Sequence, residues 1–222
     1  MNAREFKNRI YSELAIISKS LASPHRLEII ELLAQGSCSV EYVAEETGLS
    51  IASASHHLQQ MKNARLVVVE KRGKYRYYSL AGQQVFKAWK ALRELGFSQN
   101  SEIDKLIRDY RQSHHNLEPI TASELRQRLR EGEALLIDVR PEAEYESGHI
   151  SSAVSVPETE LEKRLTDLPN NKEIVAYCRG PLCTMADKAV ALLRKNGYRA
   201  VKLDIGYPEW EMKYAESENT QT

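Results

Sequence analysis

At 222 residues, with 31 Lys+Arg, 31 Asp+Glu and 42% hydrophobic residues, the chain has the composition of a soluble globular protein long enough for two cores of ordinary size. No apolar run reaches the roughly 20 residues of a membrane span, the N-terminus lacks the apolar core of a signal peptide, and three cysteines do not make a disulfide scaffold. Membrane-spanning and disulfide-rich secreted classes are excluded, and a cytoplasmic location is expected. The net charge of zero conceals an asymmetry: residues 1–115 hold 17 basic against 12 acidic side chains, and residues 116–222 hold 14 against 19. A basic first half suits a polyanion partner, although an excess of this size also serves solubility.

Residues 3–20 have helical spacing, with Phe6, Ile10, Leu14 and Ile16 or Ile17 on one side. In SPHRLEIIELLAQG, Ser23 is positioned as an N-cap, Pro24 fits the first turn, and Gly36 ends the helix. Val40, Val43 and Ala44 then face inward on a short helix broken by GLS, after which Ser50 caps another. Two short helices joined by a glycine-containing turn form a helix-turn-helix, whose second helix enters the major groove. Ala54, Leu58 and Met61 share the packed face of that second helix. Ile51, Ser53, Ser55, His56 and Gln59 lie nearer the open side, where they suit base edges or a thymine methyl. LVVVEKRGKYRYYSL reads as a hairpin around Arg72-Gly73, with Lys71, Arg72, Lys74 and Arg76 at a tip suited to phosphates.

LASPHRLEIIELL, GLSIASASHHLQQMKNARLV and EKRGKYRYYSL, in this order and spacing over about 95 residues, resemble the ArsR-type winged-helix repressors. The resemblance implies a homodimer on duplex DNA, formed through residues 3–20 and 82–97, where Val85, Trp89 and Leu92 make an apolar stripe whose alternative use is ordinary core. Many members of that family sense metal through a cysteine pair before the recognition helix. SCSVEYVA keeps one, Cys38, with Val40 where the second would stand, and His114-His115 falls in the connector. No metal site and no cofactor is therefore expected, and Cys38 is read as a small buried side chain or as a redox thiol.

Residues 99–119 read as a polar linker, either irregular throughout or beginning as an extension of the preceding helix. Beyond them Thr121 caps ASELRQRLREG, and the apolar runs ALLIDVR, KEIVAYC and AVKLD alternate with helical segments, so an α/β domain with a mostly parallel sheet is expected. Chemistry in such sheets gathers at the carboxyl ends of strands. Cys178 stands there, in a loop opening a helix near Thr184, where inward N–H groups lower a thiol pKa.

LLIDVRPEAEYESGHISSAVSVP, YCRGPLCTMADKAVALLRKNGY and GYPEW resemble the rhodanese family over residues 120–210. The resemblance implies a sulfane sulfur carried as a persulfide on Cys178, with Arg179 helping to hold an anionic donor such as thiosulfate or polysulfide. Asp138, Arg140, Glu144 and His149 match structural positions of that family. Ser151-Ser152 and Ile205 depart from its usual residues, and Cys183 is an unusual occupant of the loop, either resolving a Cys178 persulfide or packing at the helix start. Thr184 in place of an arginine argues against a Cys-x5-Arg phosphatase.

The expected organisation is a mainly α winged helix-turn-helix domain over 1–98, a linker over 99–119, an α/β rhodanese-like domain over 120–215 and a polar tail over 216–222. The leading functional expectation is a DNA-binding regulator, a repressor, whose second domain senses or transfers sulfane sulfur. The alternative is a sulfurtransferase whose winged helix serves dimerisation or protein contacts. The sequence leaves turnover as an enzyme open.

Overall fold

Hydroxyl caps start several helices where the sequence places them. In the computed structural model, which describes residues 1–113 and 118–218, Ser39 accepts from the Tyr42 N–H, Ser50 from Ser53, and Thr121 from Glu124 in a full capping box. Ser23 is an exception: its side chain caps nothing, and its carbonyl accepts the Arg26 and Leu27 N–H groups while Pro24 begins the helix. His114, His115 and the end of the polar tail lie outside the described residues.

The chain divides into two compact units, Met1–Ser98 and Gln99–Thr222. The first contains α1 (Ala3–Leu21), α2 (Pro24–Leu33), β1 (Cys38–Ser39), α3 (Val40–Glu46), α4 (Ile51–Asn63), β2 (Val67–Arg72), β3 (Tyr75–Leu80) and α5 (Gln83–Gln99). Its antiparallel sheet runs β1-β3-β2. Ala54, Leu58 and Met61 are fully buried on one face of α4, against a core that includes Ile29, Ile30 and Val43. This packing fixes which face of α4 stays outside. Trp89 is 7% exposed and, with Phe86, belongs to this core, so the expected stripe of Val85, Trp89 and Leu92 does not form a single outward face. A residue of that size at helical spacing fits a core as readily as an interface.

The second unit contains α6 (Ser101–Ser113), α7 (Ala122–Arg130), β4 (Ala134–Asp138), α8 (Glu142–Ser147), β5 (Val154–Ser155), a 3-10 helix (Leu161–Asp167), β6 (Glu173–Tyr177), α9 (Met185–Lys195), β7 (Ala200–Lys202) and α10 (Tyr207–Glu218). The stretch read as a linker thus holds a helix, with Ile103, Ile107 and Tyr110 partly buried at intervals of four and three residues. The sheet is parallel in the order β5-β4-β6-β7. Its side chains alternate between two cores, as the strand period of two requires. Ile137, Ile174 and Ala176 pack with Val190 and Leu193 of α9, whereas Leu136, Val175 and Tyr177 pack with Leu125 of α7 and Trp210 of α10. β6, flanked by β4 and β7, therefore delivers its carboxyl end, Tyr177-Cys178, from the centre of the sheet.

Candidate functional site

The loop of residues 178–184 runs from the end of β6 to the first turn of α9. Cys178 is 2% exposed, and its thiol faces the carbonyl oxygens of Cys183 at 3.5 Å and Gly180 at 3.8 Å. The Cys183 sulfur lies close enough to the Cys178 thiol, and to the Met185 and Arg179 backbone N–H groups, for each to perturb its titration. Both cysteines are free thiols.

This asymmetry divides the two thiols. Burial, followed by the hydrogen bond and negative charge of Cys183, pushes the Cys178 thiol well above its ordinary range, opposed by the Lys202 charge and the Ala186 N–H. Cys183 is lowered to about 7, first by the hydrogen bond from Cys178 and then by the Met185 and Arg179 N–H groups and the Arg179 charge, against the opposing effect of burial. The sequence reading put the stabilised thiolate on Cys178; burial opposes it there, while the Met185 and Arg179 N–H groups favour negative charge on Cys183.

The surroundings hold this geometry. Asp138, opposite Tyr177 in the β4/β6 register, accepts from the fully buried Arg140 at 2.9 Å and from the Tyr177 hydroxyl at 2.5 Å. Arg140 also reaches the Gly148 carbonyl at 2.8 Å, and the Tyr177 hydroxyl accepts the Ile150 N–H at 3.1 Å. His149 stacks on Tyr145 with ring centroids 3.8 Å apart. A Cβ at Gly206 would overlap the backbone of Arg179 and come within 2.6 Å of the Gly180 nitrogen, so the glycine of GYPEW lets the last helix approach the loop.

Three contacts were not legible in the sequence. Arg179 is engaged by Glu144 at 2.5 and 3.0 Å and does not reach outward to clamp a donor anion. Lys202 of β7 donates to Asp187 at 2.9 and 3.0 Å and to the Cys183 carbonyl at 3.0 Å, pinning the loop to the sheet. Tyr110 of α6 hydrogen-bonds Thr184, beside Cys183, and burial raises its hydroxyl pKa. The partners of Arg179 and Lys202 lie 35 and 15 or more residues away, and only the fold joins them.

Removing Arg179 would break its ion pair with the Glu144 carboxylate, which is 4% exposed. Breaking such a pair costs roughly 3–5 kcal/mol. Arg179→Ala is expected to lower unfolding free energy by about 3 kcal/mol, measured by denaturant titration. Alkylation of Cys183 should rise with pH around a midpoint of about 7 in the unaltered chain, since thiolate forms above a lowered pKa. The midpoint should move up in the variant, because a charge that favours the thiolate is gone.

In the first unit, α4 is presented with Ile51 57% exposed and with Ser55, His56 and Gln59 also exposed. Ser53 is half-buried and tied to the Ser50 hydroxyl at 2.9 Å. Gln59 donates to Asn63 at 2.8 Å, and His56 pairs with Gln60 at 2.8 Å. Gln60 is in turn held by Arg26, which also donates to the Lys19 carbonyl at 2.9 Å and to the Ser20 carbonyl, joining three helices; neither Arg26 nor Gln60 was singled out in the sequence. The hairpin turn is Gly73-Lys74, one residue later than expected, with Gly73 at φ 61° between the paired Arg72 and Tyr75. Lys71 stands directly opposite Arg76, a like-charge pair that costs up to about 1 kcal/mol until an anion lies between them. Arg72 pairs with Glu70 at 2.7 Å, both more than half exposed, a contact weak enough in water to yield to phosphate. Cys38 is 6% exposed in β1, with its thiol on the Gly36 carbonyl at 3.5 Å.

Residues 23–69 match the model of the bacterial regulatory protein arsR family, and residues 121–213 match the rhodanese-like domain. The HTH-type transcriptional regulator Rv0324 of Mycobacterium tuberculosis is 37% identical over 206 residues, covering 93% of this chain and 90% of the relative. The chain belongs to the arsR family of regulators, in the form carrying a rhodanese-like domain. It is a DNA-binding transcriptional regulator. A sulfurtransferase of Allochromatium vinosum is 33% identical to this regulator over 93 residues, 41% of the chain and 85% of the relative. The homodimeric winged helix-turn-helix DNA-binding domain of Mb0332 from Mycobacterium bovis aligns at 32% identity and a TM-score of 0.42, over 45% of this chain and 91% of that one. Among the described residues no helix is long and apolar enough to cross a membrane.

Proposed function

We propose that this regulator is a cytoplasmic homodimeric repressor that binds duplex DNA through α4 and the β2–β3 wing, and that sulfane sulfur, taken up as a persulfide on Cys178, starts the change that lowers its DNA affinity. The observation that carries the sulfur reading is the Cys178–Cys183 pair, held in one loop between the carboxyl end of a central parallel strand and the start of α9, with the Cys178 sulfur 3.5 Å from the Cys183 carbonyl oxygen. Such a pair supplies a sulfur carrier and a thiolate within one loop. Donors of the matching chemistry are thiosulfate, polysulfide and low-molecular-weight persulfides. Tyr110 gives the loop a contact with α6, which follows α5 in the chain, so a change in the loop has a path along the polypeptide. Ile51, Ser53, Ser55, His56 and Gln59 are assigned to the groove, and Lys71, Arg72, Lys74 and Arg76 to phosphates. The test is operator affinity with and without polysulfide, in the unaltered chain and in Cys178→Ser.

The dimer rests on α1, where Phe6, Ile10, Leu14 and Ile17 are 39–51% exposed along one face. A groove of about 560 Å³, lined by Ile16, Ile17, Leu21, Leu66, Val85 and Ala88, lies beside them. A second copy covers such a face by two-fold symmetry, each α1 burying the stripe of the other. Leu14→Glu is expected to yield monomers by sedimentation and to weaken operator binding by at least about tenfold, since one half-site remains per molecule. A dimer of unchanged affinity would place the interface elsewhere.

A further inference from the structure

We infer that Cys183 is a working thiol of the sulfur site: it takes the proton of Cys178 as that residue accepts sulfane sulfur, then attacks the Cys178 sulfur and closes a disulfide. This deepens the sulfur reading above and rests on it. Cys178 is enclosed, with its sulfur 3.5 Å from the Cys183 carbonyl oxygen, whereas Cys183 is partly exposed at the start of α9, where the Met185 and Arg179 N–H groups favour its thiolate. The groups around the pair favour this order. Arg179 on the loop stabilises a Cys183 thiolate, and Lys202 of β7 stabilises negative charge on Cys178 and holds the Cys183 carbonyl. Asp187 of α9 is neutralised by Lys202, and Tyr110 of α6 bonds the neighbouring Thr184.

The atoms balance without an outside oxidant when the donor is a persulfide, R–S–SH. Cys178 passes its proton to the Cys183 thiolate and attacks the terminal donor sulfur, so that Cys178–S–SH forms and RS⁻ leaves. RS⁻ removes the proton now on Cys183. The Cys183 thiolate attacks the Cys178 Sγ, the bond from Sγ to the outer sulfur breaks, and HS⁻ departs. Two thiols are oxidised to one disulfide while the sulfane sulfur is reduced to sulfide. The Cys178 sulfur already lies 3.5 Å from the carbonyl oxygen of Cys183 in the same loop, so side-chain rotation with a small movement of the loop brings the two sulfurs to bonding distance. The loop would then convert a transient sulfur adduct into a lasting change beside Thr184, the residue on which Tyr110 rests.

The experiment treats the full chain anaerobically with one equivalent of glutathione persulfide and follows intact mass, peptide mapping and sulfide release. The unaltered chain is expected to lose about 2 Da, with a Cys178–Cys183 disulfide and about one equivalent of sulfide. Cys183→Ser and Cys183→Ala, two variants so that a misfolded one is recognised, should stop at a gain of about 32 Da on Cys178 with no sulfide. A stable gain of that size in the unaltered chain, or a disulfide without sulfide release, overturns the inference. Absence of sulfur uptake in both the unaltered chain and the Cys183 variants overturns the sulfur reading of the loop itself, and the inference with it.

Discussion

Cys178→Ser is expected to abolish sulfide release and to slow sulfur uptake from a persulfide donor by at least about 10²-fold. An alcohol at this position has no accessible anion at neutral pH, and the strand end then presents no sulfur nucleophile. The fold should survive, because the serine hydroxyl inherits the Gly180 and Cys183 carbonyls that the thiol faces now. Cys183 stays in the variant as a partly exposed thiol, which makes the comparison demanding. If position 183 gained sulfur in Cys178→Ser at the rate of the unaltered chain, the assignment of Cys178 as carrier would be wrong. Single-turnover mass spectrometry against time separates the two outcomes.

The second large effect concerns the wing. Lys71, Arg72 and Lys74 are exposed around the Gly73 turn, and the Lys71–Arg76 opposition leaves unrelieved positive charge there. Each phosphate neutralised contributes about 0.9 to the slope of log affinity against log salt, so three cations in each of two wings contribute about 5. Replacing all three with Ala should weaken operator and random duplex alike, by on the order of tenfold or more, and should flatten the salt dependence by up to that amount. Loss confined to the operator sequence would instead give these side chains a role in base reading. An unchanged slope would remove the wing from the DNA face.

Much of the architecture was open to reading because local rules agree with it. Ser39, Ser50 and Thr121 cap their helices, Ala54, Leu58 and Met61 keep one face, and the apolar runs of β4 and β6 form the interior of a parallel sheet. Misreadings arose where a local pattern has two tertiary uses. Trp89 sits at an interface spacing but fills its own core, and the polar composition of 99–119 obscures the intervals of Ile103, Ile107 and Tyr110 that make α6. The polarity of the cysteine pair depends on where backbone N–H groups point, which residue types do not encode. The same holds for Arg179. Its charge suggested an outward clamp, and a buried glutamate far away in sequence claims it.

The central claim is that sulfur chemistry in the second unit sets the DNA affinity of the first. The measurement is a titration of operator DNA with the unaltered regulator, Cys38→Ser, Cys178→Ser and Cys183→Ser, each before and after polysulfide treatment at fixed salt. Typical coupling between two sites is about 1–3 kcal/mol, so affinity of the unaltered chain and of Cys38→Ser should fall by roughly 5–150-fold. Cys178→Ser should hold within about twofold, and Cys183→Ser should lose most of the response, because its loop stops at the persulfide. Constancy of the unaltered regulator within about twofold, with the Cys178–Cys183 loop shown to have reacted in the same sample, would contradict the coupling.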